Sequence, residues 1–367
     1  MDGGTHEVKL QNVYACYNVD SSIRRNSSSG AVFPSLAKYV ISKHGVVYGV
    51  AMSDDCYSAE FIAVTDSDGL IKLRGSKYLQ AKVGDTFKRV KSDLLDGKLV
   101  LFTGTGCQVN GLKSFLGTEY NNLICVDVIC HGTPSPALWR KYVQYQEQII
   151  GGKVKAVNFR CKDRGWINFG MKKAIKVSQQ NTEKMIYISK DEDPYMQMFL
   201  RNYCLRPSCY NCSAKKVKMA DISIADFWGI NKVAPEMNDG MGTSLVLVRT
   251  DKGNDIFRQI FKELKKKEVS YEDGVRENTA EYKSCSLPPQ RDKFFDDMNN
   301  MGFEDLKKKY AARITFQTRA KRKVKSVINS VLRVIGGGQR VMQNMDYSLC
   351  FVFDCEENNC EREAGFI

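Results

Sequence analysis

Apolar and polar positions change period along this chain, and each change marks an element. VYACYNV at 13–19 reads as a strand, SSIRRNSSSG as a polar loop, AVFPSLAKYVISKHG as a helix and VVYGVAM as a strand. EFIAVTD at 60–66 continues the strand pattern, and RGSKYLQAKVGDTFKRVKSDLLDG joins a Gly-centred turn to an amphipathic helix. KLVLFTGTGCQVNGLKSFLG then gives a buried strand, a Gly-rich turn and a helix. NNLICVDVICHG is a further apolar strand, and PSPALWRKYVQYQEQI is a helix opened by proline. Strands alternating with helices predict βαβ units.

From about residue 151 the rhythm alters. KVKAVNFRCKDRGW and MKKAIKVS read as antiparallel strands, and DPYMQMFLRNYCL as a helix running into a cysteine cluster. ADISIADFWGI and TSLVLVRT are strands, and DKGNDIFRQIFKELKKK is a helix. The expected fold class is α/β, with a mixed, largely parallel sheet flanked by helices. An α+β cluster-binding region and a helical, basic C-terminal tail complete it. The expected domains are residues 1–150, 151–290 and a tail 291–367.

Composition changes this picture little. The 367 residues are 26% charged and 43% hydrophobic, ordinary values for a globular protein. No secretory signal and no membrane-spanning run stands out, so a cytoplasmic protein is expected. The net charge of +13 is concentrated: residues 303–341 hold eleven Lys or Arg against Glu304 and Asp305, which is 11 − 2 = +9. No specific nucleic-acid surface is therefore expected. In AKRKVKSVINSVLRVIGGG, an apolar stripe from Val324 to Ile335 follows crowded cations. A packed helix, a partner-docking helix and peripheral contact with acidic lipid at the inner face of a membrane are the readings open to it.

Thirteen cysteines in such a chain argue for reduced thiols rather than a disulfide framework. Cys204-x4-Cys209-x2-Cys212 has the short-range spacing of an iron–sulfur site, in which soft thiolates converge from one loop. Nuclearity does not follow from spacing. The fourth thiolate is expected from Cys107 or Cys130, each just past an apolar strand; Cys125 reads as core. The rival is structural zinc, but with only His6, His44 and His131 a His-completed site is hard to build. Cys350, Cys355 and Cys360 recur in a polar tail and form either a second site or an unstructured end.

Three loops have the chemistry of anion cradles. Ser27, Ser28, Ser29 and Gly30 precede a helix. Arg74, Gly75, Ser76 and Lys77 offer two cations, a hydroxyl and a flexible glycine. Thr103, Gly104, Thr105, Gly106, Cys107 and Gln108 form a Gly-rich turn between strand and helix. None matches a dinucleotide-binding or Walker signature. His131 is either a proton-transfer group or a satisfied turn residue, and Asp226 is either catalytic or a loop-orienting carboxylate. Trp139, Trp166 and Trp228 read as core anchors.

Taken in order, SSIRRNSSSGAVF, LRGSKYLQA, VLFTGTGCQVNGLKSFLG, VDVICHGTPSPALW, FRCKDRGW, YCLRPSCYNCSAK and DISIADFWG resemble the beta-subunit family of coenzyme F420 hydrogenases and dehydrogenases. The resemblance covers roughly 13–310. It implies FAD on the α/β domain, an adjacent [4Fe–4S] cluster, and two-electron exchange with a small organic acceptor, a deazaflavin in the founding members. It also implies that the Ser-rich and RGSKY loops contact flavin. Relatives carrying a ferredoxin module begin further upstream, so a ferredoxin or ferredoxin-like subunit is the expected electron donor. A non-catalytic relay subunit and a zinc-stabilised protein of polysaccharide biosynthesis are the alternatives. Gly106 departs from the family's proline, Ala31 from a glycine and Cys161 from an aspartate.

Overall fold

A computed structural model describes residues 12–177 and 182–311. The stretch 319–335, expected as a basic helix, and Cys350, Cys355 and Cys360 lie outside the described residues. No helix of the described residues is long and apolar enough to cross a membrane.

Twelve strands run through the described residues: β1 Asn12–Asn18, β2 Val46–Met52, β3 Ala59–Val64, β4 Ala81–Lys82, β5 Val100–Thr105 and β6 Leu123–Val128. After them come β7 Gly152–Cys161, β8 Gly170–Val177, β9 Glu183–Ser189, β10 Ile222–Asp226, β11 Ser244–Val248 and β12 Leu264–Glu268. Nine form one mixed sheet in the order β12-β1-β11-β10-β6-β5-β2-β3-β4, and β7-β8-β9 form a second, antiparallel sheet. The centre, β10-β6-β5-β2, is parallel, and β12-β1-β11-β10 is antiparallel. Strands from either side of residue 150 therefore share one sheet.

The chemistry of the strands explains their places. SLVLV of β11 is buried throughout, and β5 and β6 carry the runs VLF and LICVD, also buried. Such continuous apolar runs suit strands covered on both faces. Helices Val32–Ser42 and Asp251–Gln259 pack with one apolar cluster, and helices Gly106–Leu116 and Pro136–Ile150 with another. Trp139 and Trp166 are fully enclosed, and Trp228 stacks on Trp166 at 5.1 Å.

One helix ends earlier than expected. The helix over 251–267 stops at Gln259, and Leu264–Glu268 is instead an edge strand paired with β1. Leu264 alone of its residues is buried. The row Lys265, Lys266 and Lys267 reads as a helix tail in one dimension, yet exposed lysines also keep an unpaired strand edge from recruiting another chain.

The segment 21–30, expected as a polar loop, opens with a short helix, Ser21–Arg25, and is fastened to residues 239–244. Arg24, 3% exposed, grips Asp239 with both guanidinium nitrogens at 2.5 and 2.6 Å and lies 3.7 Å over the Tyr17 ring. Gly30 is pressed onto the backbone, since a Cβ there would sit 2.4 Å from the Cys16 carbonyl oxygen. The next residue, Ala31, takes a left-handed conformation at φ 65° with no side-chain cap for the helix it opens. Glycine at 31 removes that strain at the cost of a small buried methyl and some chain entropy. Ala31→Gly is expected to stabilise the fold by up to about 1 kcal/mol in urea unfolding.

Candidate functional site

Because β2, β5, β6 and β10 are parallel, their carboxyl ends open onto one edge, and the chain immediately beyond three of them carries the candidate chemistry. Past β5 come Gly106 and Cys107, past β6 come Cys130 and His131, and β10 ends on Asp226.

The cysteine loop reaches this edge through backbone pairing. Pro134 and Leu205 form an antiparallel bridge, the Arg206 N–H donates to the Thr133 carbonyl at 2.9 Å, and the Thr133 N–H reaches Cys209 Sγ at 3.4 Å. Lys215 spans the gap from the other side, donating to the carbonyls of Cys130, at 2.6 Å, and of Ala280. Gly106 lets the β5 turn approach, since a Cβ would stand 2.9 Å from Asp127 Oδ2 and 3.2 Å from the Ala214 side chain. A proline ring at 106 has no room in this packing.

These constraints gather Cys107, Cys130, Cys209 and Cys212. Burial pushes the Cys130 thiol up to about 12, and the thiols of Cys107 and Cys209 act on it in the same sense. Burial raises Cys209 as well, with the Thr133 N–H opposing and Cys107 and Cys212 adding to the rise. Cys204 is elsewhere. It is fully buried and belongs to the apolar cluster with Tyr195 and Leu205, and burial takes its pKa to about 12. The bridge at Leu205 accompanies this placement of residue 204, which spacing within the loop does not contain. Among the described residues, no three His, Cys, Asp or Glu side chains meet closely enough to hold a single metal ion.

The lysines after the loop are not a plain solvated face. Lys215 is a clamp, Lys218 pairs with the buried Glu281 at 3.2 Å, and Lys216 is exposed. His131 Nε2 donates to Asn202 Oδ1 at 2.7 Å, and the ring meets Phe199 edge-on at 5.3 Å. Desolvation holds its pKa below the ordinary value, with Asn202 opposing.

A second group of residues lies where β7, β10 and the loops 27–30 and 74–78 meet. Ser28 Oγ and Ser76 Oγ are 2.9 Å apart, and the Ser76 N–H donates to Ser28 Oγ at 2.8 Å. Arg160 donates to Asp226 Oδ1 at 2.8 Å, and Trp166 Nε1 donates to the same oxygen at 2.6 Å. Asp226 is thus held as an anchor for two side chains. Lys162 Nζ donates to the carbonyls of Arg24, Ser29 and Met241, and Lys77 Nζ to those of Lys72 and Arg74. Burial lowers both lysines to about 7. The Nε atoms of Arg74 and Arg160 are buried without a partner.

Not every expected cradle residue faces this group. Ser27 and Ser29 donate to the carbonyls of Ile23 and Thr243, and Gly30 N–H donates to Ser244 Oγ, so Ser28 alone of the four reaches the RGSKY segment. Gly75 makes its turn at φ 79°. Thr103 donates to the Tyr48 carbonyl, and Gly104 lies beside Gln108 and Phe61. Thr105 and Gln108 cap the following helix, where Gln108 Oε1 accepts from the Thr105 N–H at 2.9 Å and Thr105 Oγ1 lies 3.2 Å from Cys107 Sγ. The 103–108 turn thus belongs with the thiols.

Sequence reasoning left Arg160, Lys162 and Tyr78 out of the site, although FRCKDRGW and RGSKY contain them. Tyr78 joins the two groups: its hydroxyl is 3.5 Å from Arg160, and its ring packs on Phe199 at 5.1 Å, which in turn meets His131. Cavities of about 440 and 590 Å³ flank helix Pro136–Ile150, lined by residues such as Tyr57, Glu147, Tyr145 and Phe303; neither includes a residue of the three loops.

The parallel sheet centre, with thiols and cationic side chains beyond its carboxyl edge, places the candidate site where α/β proteins commonly hold ligands. The chain belongs to the coenzyme F420 hydrogenase/dehydrogenase beta subunit family: residues 13–88 match the family's N-terminal model and 97–273 its C-terminal model. It is 20% identical over 231 residues to a coenzyme F420-dependent sulfite reductase of Methanocaldococcus jannaschii, covering 62% of this chain and 34% of that protein. The chain thus spans about a third of that relative's length. A solved chain in the F420-reducing [NiFe] hydrogenase complex of Methanosarcina barkeri is 14% identical, with a TM-score of 0.49 over 80% of this chain and 94% of that one.

Proposed function

We propose that this protein is an iron–sulfur flavoprotein oxidoreductase. Electrons enter from a ferredoxin-type donor at a [4Fe–4S] cluster held by Cys107, Cys130, Cys209 and Cys212, and leave through FAD to a small organic two-electron acceptor such as a deazaflavin. The observation that carries this reading is the gathering of four thiols from three separate segments at the carboxyl edge of the parallel strands. Family membership and a matched relative named for coenzyme F420 support the redox assignment.

The residues fit both groups. Four thiols that share one neighbourhood without closing on one point suit a cluster with its own sulfides. A lone zinc ion would need its sulfurs about 2.3 Å from a single centre. For the flavin, the unpartnered Nε atoms of Arg74 and Arg160 and the weakly basic Lys77 and Lys162 suit an anionic ligand beside Ser28 and Ser76. When bound, the cluster supplies one-electron steps and the flavin two-electron chemistry. Thr133 steadies Cys209 through its N–H, Lys215 fastens the Cys130 turn to the segment near 280, and Asp226 fixes the direction of Arg160. Tyr78 and Phe199 fill the space between the two groups and keep water from it. His131 can hold a proton at Nε2, shared with Asn202.

The lysines set a pH dependence. Below pH 7 both are protonated before an anion arrives; above it, binding must draw protons from solvent. Affinity for FAD is therefore expected to fall by up to about tenfold per lysine per pH unit above about 7. Titration calorimetry in buffers of different ionisation enthalpy checks this, with proton uptake on binding at pH 8 as the signature. Function is tested on protein reconstituted anaerobically with iron, sulfide and FAD and reduced by dithionite. Bleaching of the visible absorption of an added deazaflavin supports the reading, and a reduced cluster beside a flavin that stays oxidised contradicts it.

A further inference from the structure

Five of the remaining described cysteines, Cys16, Cys56, Cys125, Cys161 and Cys204, are buried. Cys285 is different. It lies on the stretch between the turn Thr279–Glu281 and the helix Arg291–Asn300, which has no helix or strand of its own, and it is half-buried. Its Sγ donates to the Cys209 carbonyl oxygen at 3.4 Å, and its thiol is within electrostatic reach of the thiols of Cys209 and Cys212 and of the Lys215 ammonium. The same stretch is stitched to the cysteine loop at two further points. Ser284 Oγ accepts from the Cys212 N–H at 3.0 Å, and the Ala280 carbonyl accepts from Lys215, whose other partner is the Cys130 carbonyl. Five thiols thus surround a site that needs four.

We propose that Cys285 is a reserve ligand of the cluster site, able to take the iron corner that Cys209 vacates. The proposal rests on the quartet named above. Geometry selects the corner, because Cys285 Sγ bonds the Cys209 carbonyl and the neighbouring Ser284 holds the Cys212 N–H. Ligation needs no oxidant: the Cys285 thiol releases its proton to solvent, its sulfur donates an electron pair to iron, and a water or hydroxide leaves that iron. A stretch free of regular structure can close the remaining distance.

The test compares the wild-type chain with Cys209→Ala, Cys285→Ser and the double variant, each reconstituted anaerobically with ferrous iron and sulfide. Iron, acid-labile sulfide and the electron paramagnetic resonance spectrum of the reduced protein are read. Cys285→Ser is expected to match wild type, Cys209→Ala to keep at least about half the iron with shifted g values, and the double variant to keep less than about a tenth. Alkylation mapping of the loaded wild-type chain, which needs no variant to fold, should find Cys285 reactive and Cys209 protected. Iron as low in Cys209→Ala as in the double variant overturns the proposal, as does a protected Cys285 in the wild type. A wild type that takes up no iron and sulfide overturns the quartet itself.

Discussion

Serine at position 130 is expected to abolish the proposed cluster, whereas serine at position 204 is expected to leave it in place. Cys130 sits at the end of β6 with Cys107 and Cys209 acting on its thiol, and Lys215 fastens its carbonyl. No second thiol faces its corner, so Cys130→Ser should reduce bound iron and sulfide by more than about tenfold after anaerobic reconstitution. Cys204 is enclosed by apolar side chains, and its carbonyl is held by the Ser135 N–H at 2.8 Å. A hydroxyl in its place lacks a partner and should cost about 1–3 kcal/mol of stability with a full cluster still bound. Loss of the cluster in Cys204→Ser with retention in Cys130→Ser would reverse the assignment.

Arg160→Ala should be the most damaging single change at the flavin side. The guanidinium, 2% exposed, donates to Asp226 and lies 3.8 Å over the Phe169 ring, so its removal strands a mostly buried carboxylate and leaves a void between β7 and β10. Breaking a buried pair from one side costs about 3–5 kcal/mol, readable in urea unfolding of the cofactor-free chain. FAD retention should fall as well, because the unpartnered Nε is lost with it. Arg160→Lys should not restore retention, since an ammonium cannot both pair with Asp226 and keep a planar face on Phe169. Wild-type flavin content in Arg160→Ala would remove this residue from the site.

Much of the architecture is legible from patterning. The alternation of VVYGVAM, VLFTGT and LICVDV with helical stretches marks the parallel centre, because strands covered on both faces are apolar throughout. Cys107 and Cys130 stand out because each follows such a strand. Four features were not legible. The placement of Cys204 accompanies the Pro134–Leu205 bridge, a pairing of residues seventy-one positions apart that spacing within one loop does not contain. Cys285 has no neighbouring motif, and only folding brings its stretch to the cysteine loop. Ser27 and Ser29 look like phosphate ligands in sequence, but their hydroxyls are spent on the carbonyls of Ile23 and Thr243. The lysine row at 265–267 read as helix because charge carries no period, and its partner β1 lies some 250 residues away.

The central claim is that one chain assembles a thiol-held cluster beside a flavin, and a stoichiometry decides it. The full chain, purified and reconstituted without oxygen, is analysed for iron, acid-labile sulfide, zinc and extracted flavin. About four iron, about four sulfide and about one FAD per chain are predicted. About one zinc per chain with neither sulfide nor flavin would contradict the account.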